Sequence, residues 1–204
     1  NHIAVKTIGE WAAKNDAKVI HISTDYVFDG TSETPLKETD ATDPINVYGL
    51  TKLKGEEALT QSGAAYVILR TAWVYSTYGA NFVKTMMRLM SEREEIGVVA
   101  DQIGTPTYAR DLAQAIMQII EAPEFVQGVY HYSNEGTISW HEFATAIKEI
   151  KGYSTKINAI GSDAFPTPAK RPNFSLLDKT KIKEIYKASV PDWRSSLEEM
   201  LAKL

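Results

Sequence analysis

Apolar positions recur along this chain with two periods, and their alternation sets the expected architecture. Residues 1–14 place Ile3, Val5, Ile8, Trp11 and Ala12 roughly on one face of a helix. Lys18–Thr24 (KVIHIST) is short, β-branched and apolar, as a buried strand is. Residues 29–46 form a polar loop rich in Asp, Thr and Pro. A helix is predicted over Val47–Thr60, with Leu50, Leu53, Ala58 and Leu59 as its candidate buried positions and Gly63 closing it. A second buried strand follows at 66–71 (YVILRT). Residues 81–93 are helical, with Phe82, Met86, Leu89 and Met90 at helical spacing. Residues 97–100 read as a short strand, Ala109–Glu121 as a strongly apolar helix stopped by Pro123, and 129–133 as a third strand.

The texture then changes. Residues 139–150 are predicted as a helix opened by a capping box, Ser139 with Glu142. Lys156–Ile160 reads as a strand, and 164–173, with three prolines, as a loop. Helices over 179–186 and 193–204 close the chain. Strand–helix alternation up to about residue 134 predicts parallel βαβ units. Three such strands are too few for a doubly wound sheet, and no glycine-rich strand–helix turn is present, so the expectation is the back part of a larger α/β protein.

Composition narrows the chemistry. The 204 residues are 44% hydrophobic and 24% charged, ordinary globular values. There are no cysteines, which excludes disulfides, thiolate metal sites and thiol nucleophiles and fits a cytoplasmic location. With 22 basic and 26 acidic residues, the net charge of −4 favours neither nucleic acid nor an anionic membrane as a partner. No apolar run approaches the length of a membrane span, and no signal peptide opens the chain. The four histidines are scattered without metal-binding spacing, so no metal site is expected, and Mg²⁺ dependence is left open. His21 and His131 fall inside strands and read as packed residues.

One pair carries catalytic potential. Tyr48 and Lys52 lie four apart on a predicted helix and so share a face. A free tyrosine ionises near pH 10, and a cation one turn away favours its phenolate. The spacing alone is common among helices. Twenty-four residues before Tyr48, however, a strand ends in Ser23 and Thr24, and ligands of open α/β sheets bind beyond such strand ends. Hydroxyls there, facing Tyr48 and Lys52, could form a proton relay; the alternative is that they cap a loop.

The strings STDYVFDG, ETDATDPINVYGLTKLKGE and LRTAWVYS resemble the extended short-chain dehydrogenase/reductases and, within them, the dTDP-4-dehydrorhamnose reductase family. NFVKTM, DQIGTPTYARDLA, GVYHYSNEGTISWHEFA and FPTPAKRPNFSLLD continue the resemblance in order, so that it covers essentially the whole chain. It implies the C-terminal part of a Rossmann-type doubly wound parallel sheet plus a small α/β substrate-binding domain. Residues 1–80 and 107–134 would be the remaining part of the NAD(P)-binding domain; 81–106 and 135–204 would bind the nucleotide sugar. Thr24, Tyr48 and Lys52 match the catalytic set. Tyr48 would be the proton donor to the sugar C4 carbonyl. Lys52 would hold the nicotinamide ribose and support Tyr48, and Thr24 would hydrogen-bond the reacting oxygen. Asp25 would contact the sugar, and Trp73 would pack against its ring. Asn81 and Arg171 occupy places used for the nucleotide diphosphate, which a guanidinium suits. Gln102 serves substrate or structure.

The implied reaction is reduction of dTDP-4-dehydro-L-rhamnose with NADPH or NADH. The alternatives are another nucleotide-sugar reductase or epimerase, or a non-catalytic subunit like the regulatory subunit of methionine adenosyltransferase. Two departures stand out. The family's glycine-rich loop would precede Asn1, so the 204 residues are expected to hold the cofactor weakly and to be inactive alone. Phe174 and Leu176 stand where relatives commonly carry Asn and Arg, which weakens part of the nucleotide contact. The apolar surface left uncovered beside the Thr24 strand leads us to expect a homodimer or higher oligomer.

Overall fold

The computed structural model describes residues 1–165 and 169–204. The chain opens with α1 (Ile3–Lys14) and β1 (Lys18–Thr24), followed by one 3₁₀ turn, Asp25–Val27. Then come α2 (Val47–Thr60), β2 (Ala65–Thr71), β3 (Val74–Tyr75), α3 (Phe82–Glu92) and β4 (Glu95–Val99). Short strands β5 (Ile103–Gly104) and β6 (Thr107–Tyr108) precede α4 (Ala109–Glu121) and β7 (Gly128–His131). The chain ends with β8 (Ile138–Ser139), α5 (Trp140–Lys151), β9 (Lys156–Ile160), α6 (Thr180–Tyr186) and α7 (Trp193–Leu201).

The three apolar runs form one parallel sheet in the order β1-β2-β7. Thr24 lies opposite Thr71, and Arg70 opposite His131. Both faces are covered, which is why the runs are apolar without alternation. Val5 of α1 and Leu59 of α2 pack with Ile68 on one side. On the other, Leu112, Ala115 and Ile119 of α4 join Ile182 and Tyr186 of α6 over Val67, Leu69 and Tyr130. Each such fully buried aliphatic side chain contributes about 1.5–3 kcal/mol.

A second core lies around the parallel pair β4–β9. Met86 and Met90 of α3, Phe143 and Ile147 of α5, and Leu197 and Met200 of α7 close over Ile96 and Val98. The capping box on α5 is formed, with Ser139 accepting from Glu142 N–H, and Gly152 ends the helix in the left-handed conformation. Of the late helices, α6 covers the three-stranded sheet, whereas α5 and α7 belong to this second core.

Two expected faces differ. On α1 only Val5, Gly9 and Ala12 are buried, while Ile3, Ile8 and Trp11 are exposed. On α2 the buried set is Gly49, Lys52, Gly55, Glu56 and Leu59, and Leu50 is exposed. The cause is the same in both. α1 and α2 pack against each other and the sheet through small residues, and Glu56 is paired below the helix. Gly49 shows this directly, because a Cβ there would overlap the carbonyl oxygen of Tyr26. The strands β3, β5, β6 and β8, of two residues each, were not visible as apolar runs. The loop predicted over 164–173 includes 166–168, which lie outside the described residues.

Candidate active site

Two strand-end features converge at the carboxyl edge of the sheet. β1 ends in Ser23 and Thr24, both buried, and turns at once into the 3₁₀ turn. Thr24 caps that turn: its hydroxyl accepts from Tyr26 N–H at 3.3 Å and donates to Asp25 Oδ1 at 3.0 Å. α2 starts directly over the turn. Asn46 caps it, accepting from Gly49 N–H at 2.8 Å, and the bare Gly49 allows the close approach to Tyr26. This brings the Tyr48 ring against the Tyr26 ring, edge to face, with centroids 5.6 Å apart. Tyr48 remains 49% exposed.

Lys52, one turn along, is 8% exposed. Its ammonium donates to the Ile22 carbonyl and stands 3.4 Å from His21 Nε2. Burial lowers its affinity for the proton, with Glu56 opposing that shift. His21 is pushed down to about 4, first by burial and then by the Lys52 charge. Beneath these groups lies a paired charge. Arg70 Nη2 meets Glu56 Oε2 at 2.7 Å, and Ser23 Oγ donates to the same carboxylate. The expected hydroxyl pair therefore splits, with Ser23 turned toward Glu56 and Thr24 toward Asp25.

Asp25 is 2% exposed, and burial raises its pKa to about 6 against the opposing hydrogen bond from Thr24. Ser175 sits against Gly104, its Oγ 2.7 Å from where a Cβ would stand, and the Trp73 ring lies 3.0 Å from that same point. Trp73 has φ +49°, a left-handed conformation costing about 1–2 kcal/mol in a non-glycine residue. Its indole is stacked on Trp140 at 3.7 Å and 14°. Such strain at an aromatic beside a strand end is characteristic of functional positions.

Arg171 is exposed and lies near enough to Tyr26 for its charge to act on the phenol. Burial still raises the Tyr26 pKa, with the Arg171 charge opposing. The Lys170 carbonyl accepts from Asn46 Nδ2 at 2.9 Å, which ties this segment to the start of α2. Thr24, Asp25, Tyr48, Lys52, Trp73 and Arg171 thus surround one strand end. Asn81 caps α3, accepting from Lys84 N–H and donating to the Ser76 carbonyl at 2.7 Å. Gln102, buried, donates to Ser162 Oγ at 3.0 Å. Neither touches the cluster among the hydrogen bonds of the described residues. Tyr26 and Ser175 were not singled out from the sequence, although both lie in strings that carried the resemblance.

A nicotinamide cofactor fits this donor set at one end only. The exposed Tyr48 phenol and the Lys52 ammonium suit a ribose and its reacting ring. No glycine-rich turn for a pyrophosphate occurs in the 204 residues.

Comparison with known proteins gives a consistent result. The family model described as "RmlD substrate binding domain" matches residues 1–204. The dTDP-4-dehydrorhamnose reductase of Shigella flexneri is 45% identical, covering 100% of the chain and 71% of that protein. The crystal structure of a dTDP-4-dehydrorhamnose reductase from Clostridium acetobutylicum superposes with a TM-score of 0.95 at 38% identity, over 100% of this chain and 71% of that one. That of the Bacillus anthracis reductase, in complex with NADP, gives 0.95 at 38% identity, over 100% and 72%.

Proposed function

The chain belongs to the RmlD substrate binding domain family, and we propose that it carries the substrate side and the proton donor for NAD(P)H-dependent reduction of dTDP-4-dehydro-L-rhamnose to dTDP-L-rhamnose. The observation that supports this most is the arrangement at the end of β1. An exposed phenol, a buried ammonium and a buried hydroxyl meet there, beyond the carboxyl end of a parallel sheet. Relatives carrying the reductase name share the whole chain at up to 45% identity.

A bound NAD(P)H supplies the hydride. Tyr48 donates its phenolic proton to the C4 oxygen of the sugar as that oxygen becomes an alcohol. Lys52, fixed by the Ile22 carbonyl, offers its ammonium to a ribose hydroxyl and supports the negative charge left on Tyr48. Thr24, whose one hydroxyl hydrogen goes to Asp25 without substrate, turns that hydrogen to the reacting oxygen when the sugar is bound. Asp25 orients Thr24 and the sugar. Trp73, backed by Trp140, covers the sugar ring. Arg171, near Tyr26, meets the diphosphate with its guanidinium. In this reading residues 1–80 and 107–134, with α6 packed over their sheet, are the cofactor-binding part, and 81–106 with the remainder of 135–204 the sugar-binding part.

Tyr48→Phe tests the assignment. Measured in the natural chain that contains these residues, by NADPH consumption with the dTDP-4-dehydro sugar, kcat should fall about 10²–10⁴-fold. KM should stay nearly unchanged. Near-normal kcat refutes the role of Tyr48.

A further inference from the structure

We propose that Glu56 is a positioning residue for the reaction: clamped between Arg70 and Ser23, it fixes helix α2 on the sheet so that the Lys52 ammonium is held, charged, at the place proposed for the nicotinamide ribose. The inference deepens the proposed function and rests on it.

The sheet turns a row of polar side chains toward α2. Along β1, Ile20 and Ile22 pack toward α4, and the residues alternating with them are His21 and Ser23. Arg70 of β2 lies opposite Ser23 in the register. On α2, Lys52 and Glu56 stand one turn apart and are 8% and 3% exposed. Each meets the row. Arg70 Nε donates to the two Glu56 oxygens at 3.1 and 3.2 Å, and Nη2 donates to Oε2 at 2.7 Å. Ser23 Oγ donates to Oε1. The Lys52 ammonium donates to the Ile22 carbonyl and stands 3.4 Å from His21 Nε2. Ile22 and Ser23 are consecutive, so the two attachments of α2 fall side by side on β1. Together they set how far the helix sits along the strand and how it is rotated about its axis.

An ammonium only donates, so His21 Nε2 accepts, and two of the three Lys52 hydrogens are directed into the protein. One is left for a ribose hydroxyl. Burial works against the charge on Lys52, and the Glu56 carboxylate opposes that effect. His21, neutral above about pH 4, faces Lys52 from β1, and Arg70 stands behind Glu56 on β2. Tyr48 precedes Lys52 by one turn, and the Asn1 amino group acts on His21. Glu56 thus serves Lys52 twice, through the seat of the helix and through its charge.

The test reads NADPH affinity by nicotinamide fluorescence, in the natural chain containing these residues, so it does not depend on turnover. Glu56→Gln should raise Kd about tenfold, the scale of one hydrogen bond to a charged group. The pH at which affinity falls on the alkaline side should move down, because burial is then unopposed at Lys52. Titrating in a Tyr48→Phe background keeps the phenol out of that limb. In a Lys52→Met background Glu56→Gln should have almost no further effect on Kd. Should Glu56→Gln fail to fold, Glu56→Gln combined with Arg70→Met removes both charges of the buried pair, a replacement such sites tolerate. It should show the same loss of affinity and the same downward shift, whereas a merely structural pair would let it bind NADPH normally. An unchanged Kd, an alkaline limb that does not move, normal binding by the double variant, or a loss that persists in full beside Lys52→Met overturns the proposal. Lys52→Met alone separates the two readings. If it weakens NADPH binding and Glu56→Gln does not, only the role of Glu56 falls. If Lys52→Met binds NADPH normally, the role proposed for Lys52 falls, and this inference with it.

Discussion

Replacing Asp25 by Asn should make this protein more stable at neutral pH. The carboxyl is 2% exposed and its pKa is raised from 3.8 to about 6. The folded state thus binds a proton that the unfolded chain has released between about pH 4 and pH 6. Stability from this group is therefore lost as pH rises through that window, and the loss is complete above pH 6. Two pKa units correspond to about 3 kcal/mol. Asn has the shape of the protonated acid and cannot ionise. Urea unfolding of both proteins should show no difference near pH 4, a growing advantage for Asp25→Asn up to pH 6, and a plateau of about 3 kcal/mol at pH 7–8. His21, pushed down to about 4, and His131, to about 3, act in the opposite sense. Their contributions are full above about pH 6.5 and are lost as pH falls toward those values, but they are common to both proteins and cancel in the difference. A flat difference from pH 4 to 8, or a variant less stable at pH 8, refutes the argument. The variant should also turn over more slowly, since the buried carboxylate would be retained for its hold on Thr24 at the expense of stability.

Glu56→Gln should destabilise by about 3–5 kcal/mol, because it leaves the Arg70 guanidinium buried beside a neutral amide while its Nη1 already has no partner. A urea midpoint within error of the parent protein would contradict this. Gly49→Ala sets two rules against each other. Helix propensity favours Ala by about 1 kcal/mol, but the new Cβ would overlap the Tyr26 carbonyl. We expect a net loss of stability together with reduced kcat, since Tyr48 must move with the helix; a gain in Tm would show that α2 does not depend on this contact.

The three sheet strands were legible because burial on both faces leaves apolar runs that need no partner to be recognised. β1, β2 and β7 fall where the β-branched segments predict, within two residues at each end. Faces of helices were less legible. Periodicity marks which residues are apolar, not which are covered, and α1 leaves Ile3, Ile8 and Trp11 outside. On α2 the signal is inverted: the buried side is built from Gly49 and Gly55, which permit close approach, and from Lys52 and Glu56, which carry charge. A hydrophobicity pattern cannot reveal a face whose burial rests on missing side chains and on a partner, Arg70, fourteen residues away. The short strands β3, β5, β6 and β8 owe their existence to pairing between distant segments. Asn81 had a local signature as a helix cap, and the geometry gives it that task.

The same reasoning explains why the catalytic set was easier to find than its support. Tyr48, Lys52 and Thr24 lie on one strand and one helix, so sequence spacing constrains their relation. Trp73 and Ser175 are separated by about a hundred positions, and what brings them together is the crossing of the 172–178 segment between β5 and the 29–36 loop. That crossing packs Ser175 and the Trp73 ring together against Gly104. The indole proposed to cover the sugar is therefore held by a joint that only the folded chain assembles. A substitution in the joint, at Gly104 for example, would push on Ser175 and Trp73 at once. Gly104→Ala should then raise KM for the sugar, measured by steady-state turnover, where a substitution at exposed Tyr48 alters kcat alone; an unchanged KM would contradict the place given to Trp73.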